Sequence, residues 1–84
     1  MQEITVYTTP VCPYCEAAKR LLTQRGFAYK TVDLGADPAL RQRLSDDNAG
    51  YRTVPMIFIG ERFVGGYTEL AALDARGELA ALVP

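Results

Sequence analysis

The sequence predicts an α/β fold: a four-stranded mixed sheet flanked by helices, in the order β-α-β-α-β-β-α. Three observations carry this. Short β-branched or apolar runs alternate with segments of helical periodicity through most of the chain. Prolines at helix starts and glycines past helix ends punctuate those segments. Two apolar runs around a glycine-led pair form a hairpin before the last long helix. No linker, repeat or low-complexity tract interrupts the 84 residues, so one domain over 1–84 is expected.

The elements follow in order. Ile4-Thr5-Val6-Tyr7 alternates and is rich in β-branched residues, as a strand requires. Thr8-Thr9-Pro10-Val11 is a loop, with Pro10 blocking further pairing. From Pro13 to about Arg25 the pattern is helical. Cys15, Ala18, Leu21 and Leu22 fall on one face, and Glu16, Lys19, Arg20, Thr23 and Gln24 face water. Pro13 suits the first helical position, and Gly26 suits a left-handed cap. Phe27 to Asp33 reads as the second strand, completing a βαβ unit.

Asp37 is an N-cap and Pro38 a first-turn proline, opening a helix through Leu40 and Leu44 towards Asn48. Asn48-Ala49-Gly50 ends it. Met56–Ile59 and Arg62–Val64 then flank Gly60-Glu61, a two-residue loop with glycine first, as a type II′ hairpin requires. Gly65-Gly66-Tyr67-Thr68 leads into a helix carrying Leu70, Ala71 and Leu73. Gly77 breaks that helix, and Glu78 to Val83 reads as a short closing turn.

Composition narrows the function. Hydrophobic residues make up 49% of the chain, enough for a modest core, and the formal charge is −1. That balance leaves no electrostatic footprint for nucleic acid or an anionic membrane. No apolar run is long enough to span a bilayer. Met1-Gln2-Glu3-Ile4 lacks the basic start and apolar stretch of a secretory signal. A cytoplasmic, reducing setting is therefore expected, where a lone C-x-x-C pair is catalytic or metal-binding more often than structural.

Cys12 and Cys15 are the chain's two cysteines, and histidine is absent. A closed zinc site needs four Cys or His ligands, so one chain supplies half of one. A dithiol redox pair is the leading reading. A disulfide closing so short a loop would constrain little of the unfolded chain, so stability is a poor reason for it.

Thiolate is the reactive form of cysteine, and Cys12 stands at the start of the first helix. Unpaired N–H groups and the positive end of the macrodipole there lower its pKa. Cys15, one turn inward, should ionise less readily. Cys12 is then the nucleophile that forms a mixed disulfide, and Cys15 resolves it. Burial on the apolar face alone would account for Cys15 but not for Cys12, which lies off that stripe.

With Cys12-Pro13-Tyr14-Cys15, Thr53-Val54-Pro55 and Gly65-Gly66-Tyr67-Thr68-Glu69 in this order, the chain resembles a glutaredoxin over essentially its whole length. The tail Ala72-Leu73-Asp74-Ala75-Arg76-Gly77 looks most like the small bacterial dithiol class, glutaredoxin three. The element order is that of the thioredoxin-like fold, but the active-site tryptophans and Gly-Pro of thioredoxin itself are missing.

The resemblance implies a glutathione site. It places Pro55 facing the cysteines, with a cis bond that proline alone permits cheaply. The Val54 backbone, beside Thr53, would pair with the cysteinyl unit in strand-like fashion. Backbone N–H groups of Thr68 and Glu69 suit the γ-glutamyl carboxylate, and the Glu69 side chain suits the ammonium. Gly66 permits close approach, or serves only the turn. On residues alone, Thr68 as N-cap with Glu69 in the first turn would be ordinary. Gln42 and Tyr14 are implied at the glycine end, with Arg52 a further partner. Two positions depart from the family pattern: Glu69 stands where aspartate is usual, and Thr9 where a lysine is common. Without that cation, the helix start carries more of the Cys12 activation.

The resemblance thus implies a glutathione-dependent thiol–disulfide oxidoreductase serving redox homeostasis, with Cys12-Cys15 as the redox disulfide. It would act on disulfide-containing and glutathionylated proteins as a monomer. Glutathione would be co-substrate, with no tightly bound cofactor and no metal. The alternative from another class is a [2Fe–2S] carrier, a dimer bridged by two glutathiones. A zinc-linked dimer of two C-x-x-C pairs ranks below both.

Overall fold

The computed structural model describes residues 3–83. Its elements are β1 (Ile4–Thr8), α1 (Pro13–Gln24), β2 (Lys30–Asp33), α2 (Pro38–Asp47), β3 (Met56–Ile59), β4 (Arg62–Gly65), α3 (Tyr67–Ala75) and α4 (Leu79–Leu82). The strands form one mixed sheet in the order β2-β1-β3-β4. β1 runs parallel to β2 and antiparallel to β3, and β3 is antiparallel to β4. This is the mixed sheet the element order predicts.

The register of β1 on β3 builds the core. Ile4 pairs with Ile59 and Val6 with Ile57, so four β-branched side chains share one face. Ala18 and Leu22 of α1, Leu70 and Leu73 of α3 and Leu79 of α4 close over them. Truncating a side chain at this centre, such as Leu22→Ala, costs about 2–5 kcal/mol. The opposite face carries an aromatic series. Tyr7 meets Phe58 edge-on at 5.5 Å, Phe58 meets Phe63 at 5.1 Å, and Phe63 meets Tyr51 at 5.0 Å. That series ends at the loop joining α2 to β3.

Two of the helices share one way of ending. α1 and α3 end in the same Schellman arrangement. Phe27 N–H donates to the Leu22 carbonyl at 2.9 Å and Gly26 N–H to that of Thr23, with Gly26 at φ +79°. α2 ends through Ala49, a non-glycine residue at φ +60°. The second strand starts later than Phe27, where the sequence predicts it. Pairing with β1 begins at Lys30, because Phe27 is committed to capping α1.

The hairpin has Gly60 at φ +60°, and Glu61 is not among the described residues with positive φ, which suits the type II′ expectation. β4 extends one residue beyond expectation. Phe58 faces Phe63 but Ile57 faces Gly65, so Val64 is an extra, bulged residue just before the last motif. No described helix is long and apolar enough to cross a membrane.

Candidate active site

Cys12 is the N-cap of α1, held extended at φ −131° and ψ 101°. Its Sγ accepts the Cys15 N–H at 3.1 Å, one of the donors that a helix start leaves without an intrahelical partner. Cys12 is half-buried, while Cys15 is buried on the inner face of α1. The two sulfurs are joined in a disulfide. Pro13 occupies the first helical position, where its missing N–H costs nothing.

Val11, immediately before Cys12, is almost wholly exposed and lies at φ +54°. A β-branched residue there is strained by about 1–2 kcal/mol. Strain of this kind persists where the surroundings over-determine the backbone, and here it adjoins Cys12.

Across from the cysteines runs the segment between α2 and β3. The Val54–Pro55 bond is cis, as expected, and Pro55 is buried. The Val54 carbonyl lies 3.9 Å from Cys12 Sγ, a loose approach that a reduced thiol can use as an acceptor. A groove of about 290 Å³ opens beside this segment. Tyr14, Thr53, Val54, Pro55, Gly66, Thr68 and Glu69, all implied by the sequence motifs, line it together with Tyr51 and Tyr67.

Gln42 lies elsewhere. It lines an adjoining groove of about 430 Å³ with Arg41, Ser45, Asp46 and Arg52, and its amide donates to Asp46 at 2.9 Å. Tyr14 lines the first groove. Tyr51 borders both. Arg41 donates to the Arg52 carbonyl at 3.1 Å, fastening α2 to the loop that carries Thr53 and Val54.

The start of α3 shapes the far wall. The N-cap is Gly66 and not Thr68, so Thr68 and Glu69 are the second and third helical residues. Their N–H groups have no intrahelical partner and sit at the positive end of the helix. The Glu69 side chain folds back over the glycine pair, and its Oε1 accepts the Gly66 N–H at 2.7 Å and the Tyr51 hydroxyl at 3.2 Å. A Cβ on Gly65, itself at φ +121°, would stand 2.7 Å from that oxygen. One on Gly66 would stand 2.6 Å from the Tyr51 hydroxyl. The glycines therefore make room for a side chain of this protein as well as for any ligand.

Three residues escaped the sequence reading. Tyr67, inside the glycine motif, sits 6.2 Å from the Tyr14 ring and widens the aromatic wall. Tyr51 is an aromatic with a polar tip two residues before Thr53, which was a usable signal. Arg41 had no signal beyond standing next to Gln42.

A helix-start cysteine opposite a cis proline and a glycine-lined groove is a specific geometry, and the glutaredoxin family model matches residues 4–64. The chain belongs to the glutaredoxin family. A glutaredoxin of Pseudomonas aeruginosa is 43% identical over 83 residues, covering 99% of this chain and 98% of that protein. Glutaredoxin 3 of Escherichia coli K12 is 39% identical over 79 residues, 94% of each chain. The crystal structure of a buckwheat glutaredoxin–glutathione complex aligns with a TM-score of 0.90 at 30% identity, over 96% of this chain and 76% of that one. As a glutaredoxin with its Cys12–Cys15 pair in place, the protein is a thiol–disulfide oxidoreductase of thioredoxin-like fold.

Proposed function

We propose that this glutaredoxin reduces protein disulfides and glutathione mixed disulfides with electrons from glutathione. Cys12 thiolate attacks one sulfur of the substrate disulfide and expels the other as a thiolate. In the dithiol route, Cys15 attacks Cys12 Sγ, releases the second substrate thiol and closes the Cys12–Cys15 disulfide. One glutathione thiolate then opens that disulfide to a Cys12–glutathione adduct. A second attacks the glutathione sulfur, giving oxidised glutathione and free Cys12. In the monothiol route, Cys12 takes glutathione directly from a glutathionylated protein, and Cys15 is not needed.

One observation carries the assignment of roles: Cys12 Sγ accepts the Cys15 N–H at 3.1 Å at the open end of α1, while Cys15 is buried. A hydrogen bond to the charged form favours thiolate, and burial disfavours it. The groove suits glutathione. Val54 and Thr53 offer backbone to the cysteinyl unit, with Pro55 and Tyr14 beside it. Thr68 and Glu69 N–H groups suit the γ-glutamyl carboxylate, Glu69 carboxylate the ammonium, and Gly66 the close approach. Gln42 and Arg52, in the adjoining groove, suit the glycine carboxylate. The protein then works as a single-domain monomer in the cytoplasm, with glutathione as co-substrate.

The test is glutathione-coupled reduction of a small glutathione mixed disulfide by wild type, Cys12→Ser and Cys15→Ser. Activity lost with Cys12→Ser and kept with Cys15→Ser supports these roles. Equal loss in both variants rules out the monothiol route.

A further inference from the structure

The geometry points to Tyr51 as a positioning residue that fixes the Glu69 carboxylate for an ammonium-bearing ligand, an inference resting on the glutathione reading above. Glu69 Oε1 is occupied by two donors, the Gly66 N–H at 2.7 Å and the Tyr51 hydroxyl at 3.2 Å. Among the described residues Oε2 has no hydrogen-bond partner, so one oxygen is anchored and the other is left for a ligand.

The Gly66 bond alone would hold the carboxylate as a helix cap does, at one point and free to swing. The Tyr51 hydroxyl supplies the second point, from the far bank of the groove. Tyr51 is itself fixed, its ring edge-on to Phe63 at 5.0 Å. The linkage thus ties the loop preceding Pro55 to the first turn of α3, the two elements between which the groove lies. Gly66 is needed for this, since a Cβ there would fall 2.6 Å from the hydroxyl. Pre-orienting a long glutamate removes rotamer freedom that binding would otherwise have to remove. A residue acting this way contributes to recognition of the ammonium and not to the sulfur chemistry.

Tyr51→Phe keeps the ring against Phe63 and deletes the hydroxyl alone. The kinetics of wild type, Tyr51→Phe, Glu69→Gln and the double variant are measured on two substrates. One is the mixed disulfide of glutathione with a small thiol, and the other is the same compound with its γ-glutamyl amine acetylated. Tyr51→Phe is expected to raise KM for the first substrate roughly threefold to tenfold with kcat unchanged. It should leave KM for the acetylated substrate at the wild-type value and add nothing to Glu69→Gln. Equal KM shifts on both substrates, or no shift on either, would overturn the role. So would additive effects in the double variant. Failure of the glutathione reading has its own signature: wild type would reduce a cysteine mixed disulfide as well as the glutathione one.

Discussion

The Cys15 N–H points at Cys12 Sγ from 3.1 Å, so the backbone of one cysteine of the pair serves the sulfur of the other. The C-x-x-C spacing is what brings this about. Counting from an N-cap at Cys12, the third helical residue is the one whose N–H reaches back to the cap side chain. The same residue turns its own thiol into the core, where Cys15 is buried. One helical turn thereby separates an accessible, stabilised sulfur from a sheltered one.

Thr9 stands three residues before Cys12, where the glutaredoxin pattern commonly has a lysine. Thr9→Lys is expected to lower the Cys12 pKa, because a nearby ammonium favours the thiolate. The rise of thiolate ultraviolet absorbance with pH reads it in reduced protein. An unchanged midpoint would show that the helix start and its hydrogen bond alone set the ionisation of Cys12.

Among the described residues, two non-glycine ones sit in the left-handed region, Val11 at φ +54° and Ala49 at φ +60°, and both are exposed. Glycine removes the Cβ conflict at either position. Ala49→Gly, at the end of α2, is expected to stabilise the fold by about 0.5–1 kcal/mol in denaturant unfolding. Val11→Gly should stabilise by a similar amount, about 1 kcal/mol. A loss of stability in both would contradict the strained backbone.

Arg25 and Asp74 join the end of α1 to α3 through paired bonds, Nε to Oδ1 and Nη2 to Oδ2, each 2.9 Å. The hydrogen bond from Arg25 holds the Asp74 carboxyl below the usual carboxylate range, with the guanidinium charge adding to it. A carboxylate lowered by folding stabilises above its unfolded pKa and loses that contribution as pH falls through the folded one. Asp74→Asn should therefore lower the unfolding temperature at neutral pH. The gap to wild type should close in acid, below the ordinary carboxylate range, and shrink with added salt. A gap independent of pH would mean that the pair contributes through packing alone.

Much of this was legible in the sequence because local signals and tertiary demands agreed. Pro13 and Gly26 bound α1 where the structure has it, and Cys15, Ala18 and Leu22 form its buried face. Disagreement arose where one residue served two elements. Phe27 has the composition of a strand residue, but its N–H caps α1, so pairing waits until Lys30. At α3 the ordinary capping preference favoured Thr68, whereas Gly66 caps the helix and Glu69 reaches back to its N–H. The link from Tyr51 to Glu69 spans 18 residues and no local pattern encodes it. Which groove Gln42 and Tyr14 each line likewise depends on where α2 sits against the loop before β3.

The unequal roles of Cys12 and Cys15 are tested most directly by trapping the intermediate. Reduced Cys15→Ser and Cys12→Ser proteins are each treated with oxidised glutathione, and the adducts are located by mass spectrometry of peptides. A rapid, single glutathione adduct on Cys12 of the Cys15→Ser protein, with Cys15 of the other variant scarcely modified, is the predicted result. Comparable modification of Cys15 in the Cys12→Ser protein would contradict the account.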